Sequence, residues 1–149
     1  MKEFVRVKYD DLNGKQKEQF NFQKLAATLA EYGFNCIKLM DDWLGADFLA
    51  YHVNKADTLR IQLKSRITVQ QKYSGKEIWM AFPFKGNWYL LPHDILIEKV
   101  KANTKWLDSD SWIKGHGFSS KAINAKLLES LQENNIGPVF GAVIDSPEA

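Results

Sequence analysis

The run Ile78–Phe84, IWMAFPF, is apolar throughout. In an extended chain, alternate side chains leave opposite faces. Ile78, Met80 and Phe82 therefore share one face, and Trp79 and Ala81 take the other. A strand apolar on both faces has no side to offer to water. It belongs in the middle of a sheet, with helices over it.

The flanking sequence supplies those helices. From Lys15 to Tyr32, Phe22, Leu25, Ala26 and Leu29 recur at three- and four-residue steps, while Lys17, Glu18 and Lys24 are free to face water. Gly33 is the stop. Phe34–Leu39 then reads as a buried strand ended by Asp41-Asp42. Two further apolar runs, Phe48–Val53 and Leu59–Leu63, are joined by the turn-forming Asn54-Lys55-Ala56-Asp57 and read as a hairpin. Ser65–Lys76 is a polar connection into the Ile78 strand. After the Lys85-Gly86-Asn87 turn comes a strand at Trp88–Leu91. Pro92–Lys101 reads as a second helix with Ile95, Leu96 and Val100 inward.

Asn103–Gly117 is irregular, anchored by Trp106 and Trp112. Ser119 or Ser120 caps a helix over Lys121–Asn134, with Ile123, Leu127, Leu128 and Leu131 as its apolar stripe. Asn135, Gly137 and Pro138 end that helix. Met1–Asp11 is read as a short edge strand or an ordered arm, and Val139–Ala149 as a partly ordered tail. Helix, strand, hairpin, strands, helix, helix is the order of a mixed central β-sheet flanked by helices, in the α/β or α+β class. There is no internal repeat, low-complexity tract or linker, and 149 residues fit one domain with a proper core.

Twenty basic against 18 acidic residues give a net charge of +2, which excludes a strongly basic nucleic-acid module but permits a local basic patch. The single cysteine, Cys36, cannot form an internal disulfide and reads as a small buried hydrophobe. No segment approaches the ~20 apolar residues of a membrane span, and the N-terminus lacks the apolar core of a signal peptide. The expectation is a cytosolic protein with no membrane association.

Chemistry concentrates around the hairpin. Asp47 opens its first strand. On the second, Gln62 and Lys64 are two residues apart and leave the same face. An acid, an amide and a lysine at one end of a hairpin are unusual for a purely structural sheet. Ala46-Asp47 followed by Gln62-Leu63-Lys64 resembles the PD-(D/E)XK nuclease superfamily, over roughly Lys15 to Lys101. The resemblance implies a restriction-endonuclease-like α-β-β-β-α-β core over residues 15–101, with a C-terminal helical extension over 102–149. It implies a metal-dependent endonuclease acting on DNA. Two departures stand out. Ala46 replaces the usual proline, and Gln62 replaces the usual second carboxylate, as it does in a homing-endonuclease branch. Gln23 stands where many members place a glutamate on the first helix.

On that resemblance Asp47, Gln62 and Lys64 are the catalytic residues. Mg2+ or Mn2+ would be held by the Asp47 carboxylate, the Gln62 side-chain carbonyl and the Leu63 main-chain carbonyl. Lys64 would orient the attacking water and stabilise charge developing on phosphate. Gln23 and Asp42 are accessory candidates, and Asp41 is an alternative to Asp42. Arg66, Lys72 and Lys76, beside the site, are candidate phosphate contacts. Trp43 is a candidate for stacking on a base or packing against a partner. The plainer reading makes Asp47 a turn or cap residue and the amide and lysine a solvated strand face. His52, His93 and His116 show no metal-ligand spacing, and His93-Asp94 reads as a helix start. A rival in another class is a nuclease fold that has lost its acids and binds nucleic acid or protein, favoured by an exposed apolar patch around Trp106 and Trp112. A homodimer with one site per strand fits the size.

Overall fold

The computed structural model describes residues 3–54 and 56–139, without the Asp42 side chain. Helix α1 (Gly14–Ala30) starts from a capping box in which Asn13 accepts from the Gln16 amide and Gln16 accepts in return from the Asn13 amide, both at 2.9 Å. A cap of this kind contributes about 1 kcal/mol. Gly33, at φ +87°, takes the left-handed conformation that turns the chain out of the helix. Strands β1 (Phe34–Trp43), β2 (Ala46–His52) and β3 (Thr58–Leu63) follow, then β4 (Ile67–Val69), β5 (Ile78–Phe84) and β6 (Asn87–Pro92). Helix α2 (His93–Asn103), the short α3 (Asp110–Ile113), β7 (Phe118–Ser120), α4 (Ala125–Leu131) and β8 (Asn135–Pro138) complete the described chain.

Among the described residues the strands form a six-stranded mixed sheet in the order β1-β2-β3-β5-β6-β8, and β4 pairs with β7 in a separate ribbon. Only β3 and β5 run parallel within the larger sheet. The two faces of β5 sort as its alternation requires. Ile78, Met80 and Phe82 join Leu96, Val100, Leu127 and Leu131 in one core under α2 and α4. Ala81 and Trp79 join Leu25, Leu29, Phe48, Ile61 and Trp88 in the other core under α1. Each fully buried Leu, Ile or Phe contributes about 1.5–3 kcal/mol, so this one strand ties both layers together.

Several local expectations are corrected. Asp41 and Asp42 do not end β1: the strand continues through them to Trp43, and the turn is Leu44-Gly45. β1 is a sheet edge, where polar side chains face water at no cost, and Ile37 and Met40 are exposed rather than buried. The connection after β3 is not merely polar loop. A parallel β3–β5 pair needs a crossover, and this one carries β4 and a 3-10 turn at Gln71–Tyr73 where the resemblance implies a helix. Residues 3–8 form no strand. Ser119 and Ser120 lie in β7, and Asn124 caps the final helix, accepting from the Leu127 amide at 2.8 Å. Residues after 102 contribute two strands as well as helices, and β8 extends the main sheet. Ile95 is exposed, while Leu96 and Val100 are buried. The expected C-terminal tail lies outside the described residues beyond Val139.

Cys36 is half-buried against the α1 core, and burial pushes its thiol up to about 11, which makes it unreactive. Among the described residues no helix is long and apolar enough to cross a membrane.

Candidate active site

Strands β2 and β3 pair antiparallel with Phe48 opposite Ile61 and Leu49 opposite Arg60. Extending that register brings Asp47 to Gln62. Phe48 and Ile61 point into the α1 core; strand alternation then sends Asp47, Gln62 and Lys64 to the other face. The β3–β5 register agrees, because Gln62 lies opposite Met80, which belongs to the core under α2 and α4.

Three contacts fix the cluster. The Leu63 amide donates to Asp47 Oδ2 at 3.0 Å, so the carboxylate is held at the residue between Gln62 and Lys64. Gln62 is buried, and its Nε2 donates to the Gly45 carbonyl at 2.5 Å. That bond orients the amide and leaves its carbonyl end as the acceptor. The Lys64 amide donates to Ala81 O at 2.9 Å, continuing the ladder to β5. Gly45 is required here on two counts. Its φ is +86°, and a Cβ at this position would meet Ile78 Cδ1 at 3.3 Å.

Tyr73, buried in the crossover, links the cluster to its surroundings. Lys64 Nζ lies 5.8 Å from the ring centroid, and Lys72 Nζ lies 5.3 Å from it, both within cation–π range. Beside Tyr73 opens a cleft of about 490 Å3, walled by Leu44, Gly45, Lys72, Tyr73, Lys76 and Glu77. Arg60 braces its far side, donating to the Lys76 carbonyl at 2.8 Å and to Glu77 Oε2 at 3.2 Å. The loop that carries this wall is tied to the start of α2. The Gln70 amide donates to His93 Nε2 at 3.1 Å, and the Gly75 amide donates to both Asp94 carboxylate oxygens at 3.1 Å.

His93 is fully buried, and burial holds its imidazole below the ordinary 6.5, against the opposing pull of the Asp94 carboxylate. Its Nε2 must stay unprotonated to accept from Gln70. A group whose folded pKa is lowered in this way favours the neutral form, so the unfolded chain binds the extra proton as pH falls below 6.5. Stability is therefore expected to be full above that pH and to decline as pH falls below it towards the folded-state pKa, by about 1.4 kcal/mol for each unit of depression. Thermal melts of the wild type and His93→Gln across that range check this, since the variant should lack the His93 component. Superimposable pH profiles would contradict it.

Gln23 is exposed on α1, the helix covering the face opposite to that of Gln62 and Lys64. Asp41 is exposed on β1; the Asp42 side chain lies outside the description. Lys72 and Lys76 line the cleft, whereas Arg66 is exposed at the bend before β4 and is not part of its wall. Trp43 stands half-exposed at the end of β1, beside Leu44. His93 does begin α2, as its pairing with Asp94 suggests. Trp106 and Trp112 are partly buried against the core and do not form an exposed apolar patch. Tyr73, Arg60 and Leu44 were not singled out by sequence. Tyr73 alone left a trace, as the one aromatic in a polar connection.

Among the described residues no group of three or more His, Cys, Asp or Glu side chains is gathered to hold a metal ion. The donors present are one carboxylate, one buried amide carbonyl and the adjoining main chain. Magnesium is commonly held by one or two carboxylates together with substrate phosphate, so this set fits a cation bound jointly with phosphate, not a tight resident one.

Gln62→Glu probes that donor set. The new carboxylate would lose the bond to Gly45 O and face that carbonyl while buried. The metal-free variant is expected to be about 2–3 kcal/mol less stable than wild type. Added Mg2+ should then raise its melting temperature more than it raises that of the wild type. An unchanged melting temperature with no metal response would contradict the assignment of Gln62.

No protein-family model matches this chain, and no curated protein matches it. A solved structure of a bacterial homing endonuclease is similar to it, with 18% sequence identity and a TM-score of 0.43 over 57% of this chain and 69% of that one.

Proposed function

We propose that this protein is a metal-dependent endonuclease that hydrolyses DNA phosphodiester bonds. The observation that carries the reading is the lock between the Asp47 carboxylate and the Leu63 amide, which sets the acid beside Gln62 and Lys64 on adjacent strands. A structural cap would need only that one bond. It would not need a buried glutamine oriented next to it or a half-buried lysine on the same face.

A cation held there would supply charge neutralisation at the phosphate and a lowered pKa for water. Asp47 would supply the one charged ligand, and the Gln62 side-chain carbonyl and the Leu63 main-chain carbonyl would complete the protein donors. Lys64 orients the attacking water and donates to the non-bridging phosphate oxygen as negative charge grows there. With a single carboxylate, the site would hold a cation weakly without substrate phosphate as a further ligand. Lys72 and Lys76 hold neighbouring phosphates and set the strand's register without reading its sequence.

Incubation with labelled DNA tests this reading. Cutting is expected with Mg2+ or Mn2+ and should stop on chelation. A protein that binds DNA but cuts no substrate under any metal would favour a nuclease fold working as a binding module.

A further inference from the structure

The cleft beside Tyr73 has features that folding does not explain. Among the described residues three non-glycine residues have positive φ: Leu44 at 51°, Glu77 at 56° and Lys85 at 46°. The first two line this one cleft. Leu44 and Gly45 both have positive φ, which is the backbone of a type I′ hairpin turn, where Asn-Gly is the favoured pair. Leucine there costs about 1–2 kcal/mol. Its side chain does not recover that cost by packing, because Leu44 is 56% exposed. An apolar side chain kept on a strained backbone at the mouth of a cleft points to a contact with something outside the fold.

The charge on the walls says what kind of partner fits. Lys72 and Lys76 are exposed at the rim, and Arg60 stands behind them against Glu77. Position completes the case. Gly45, in the cleft wall, accepts from Gln62, and the ammonium groups of Lys64 and Lys72 both lie within cation–π range of the Tyr73 ring. The cleft thus begins where the catalytic cluster ends.

We infer that this cleft is a nucleotide subsite adjoining the scissile phosphate: Lys72 and Lys76 hold the two flanking phosphates, and Leu44 packs against the sugar and base. The inference rests on the nuclease reading and adds to it the residues that seat the strand.

Fluorescence-anisotropy binding of labelled DNA without divalent metal, over a range of salt, tests it with three proteins: wild type, Leu44→Asn and K72A/K76A. Leu44→Asn is expected to melt at or above the wild-type temperature, because asparagine suits the turn, yet to bind about tenfold more weakly, a loss in the range for one base contact. K72A/K76A should lower the log–log salt slope by about 1.4–1.8, two phosphate contacts' worth. If Leu44→Asn melts lower, or if both cleft variants keep wild-type affinity and slope, the subsite is overturned. Metal-dependent cutting by the wild type would then still stand. A wild type that neither binds nor cuts DNA overturns the subsite and the nuclease reading together.

Discussion

Replacing Asp47 by asparagine is expected to abolish DNA cutting while leaving the protein folded. Asparagine keeps a side-chain oxygen for the Leu63 amide, which donates to Asp47 at 3.0 Å. The stability change should therefore stay below about 1 kcal/mol, the usual worth of one such bond. On the proposed reading, what the substitution removes is the one charged metal ligand. Losing a single neutral stabilising donor typically costs about 10²–10³ in rate; losing this carboxylate should cost at least about a thousandfold, because the remaining donors carry no charge to hold the cation. Melting curves show whether the fold survives, and single-turnover cleavage gives the rate. A folded variant that cuts within tenfold of the wild type would remove Asp47 from the mechanism.

The second large effect is expected at Lys64. Its backbone is fixed to β5 through the Ala81 carbonyl, and its ammonium lies over the Tyr73 ring. Lys64→Ala should slow cutting by about 10²–10³, the range for one electrostatic stabiliser of the transition state. DNA affinity should fall only about threefold, since on this reading Lys64 would be one cation among several facing the strand. Lys64→Arg should not restore the rate, because a planar guanidinium cannot take the place of a compact ammonium beside an attacking water. The split between rate and affinity is the diagnostic readout. A Lys64→Ala protein that loses affinity and rate in equal measure would make Lys64 a binding residue only.

The sequence carried the scaffold well because the scaffold follows from periodicity. The two-faced run Ile78–Phe84 sorts its side chains into the two cores as alternation requires, and Leu25 and Leu29 lie on the buried stripe of α1. The β2–β3 hairpin and the start of α2 at His93 are where turn residues and Pro92 put them. Short elements were illegible for a physical reason. The three-residue strands β4 and β7 are too short to show a period, and only their pairing with each other defines them. Asp41-Asp42 looked like a terminator because two adjacent acids suit turns, but an edge strand tolerates them.

The candidate site was legible in part. Asp47, Gln62 and Lys64 announce themselves by spacing on two strands. The cleft does not, because Leu44 and Tyr73 meet only once the β1–β2 turn folds onto the crossover. Nor could sequence show that Gln62 is buried and held by Gly45, or that Gln23 lies on a helix covering the opposite face. Those facts depend on register and on which face each helix covers. Both are set by the whole sheet.

The most direct test follows cleavage of labelled duplex, branched and single-stranded DNA over time, with Mg2+ or Mn2+, for the wild type and Asp47→Asn side by side. The expected result is metal-dependent cutting by the wild type that vanishes in the folded variant, with the preferred substrate shape showing which strand geometry the cleft accepts. Cutting that persists in Asp47→Asn, or a wild type that cuts none of the three substrates with either metal, would contradict the assignment of a nuclease site to Asp47, Gln62 and Lys64.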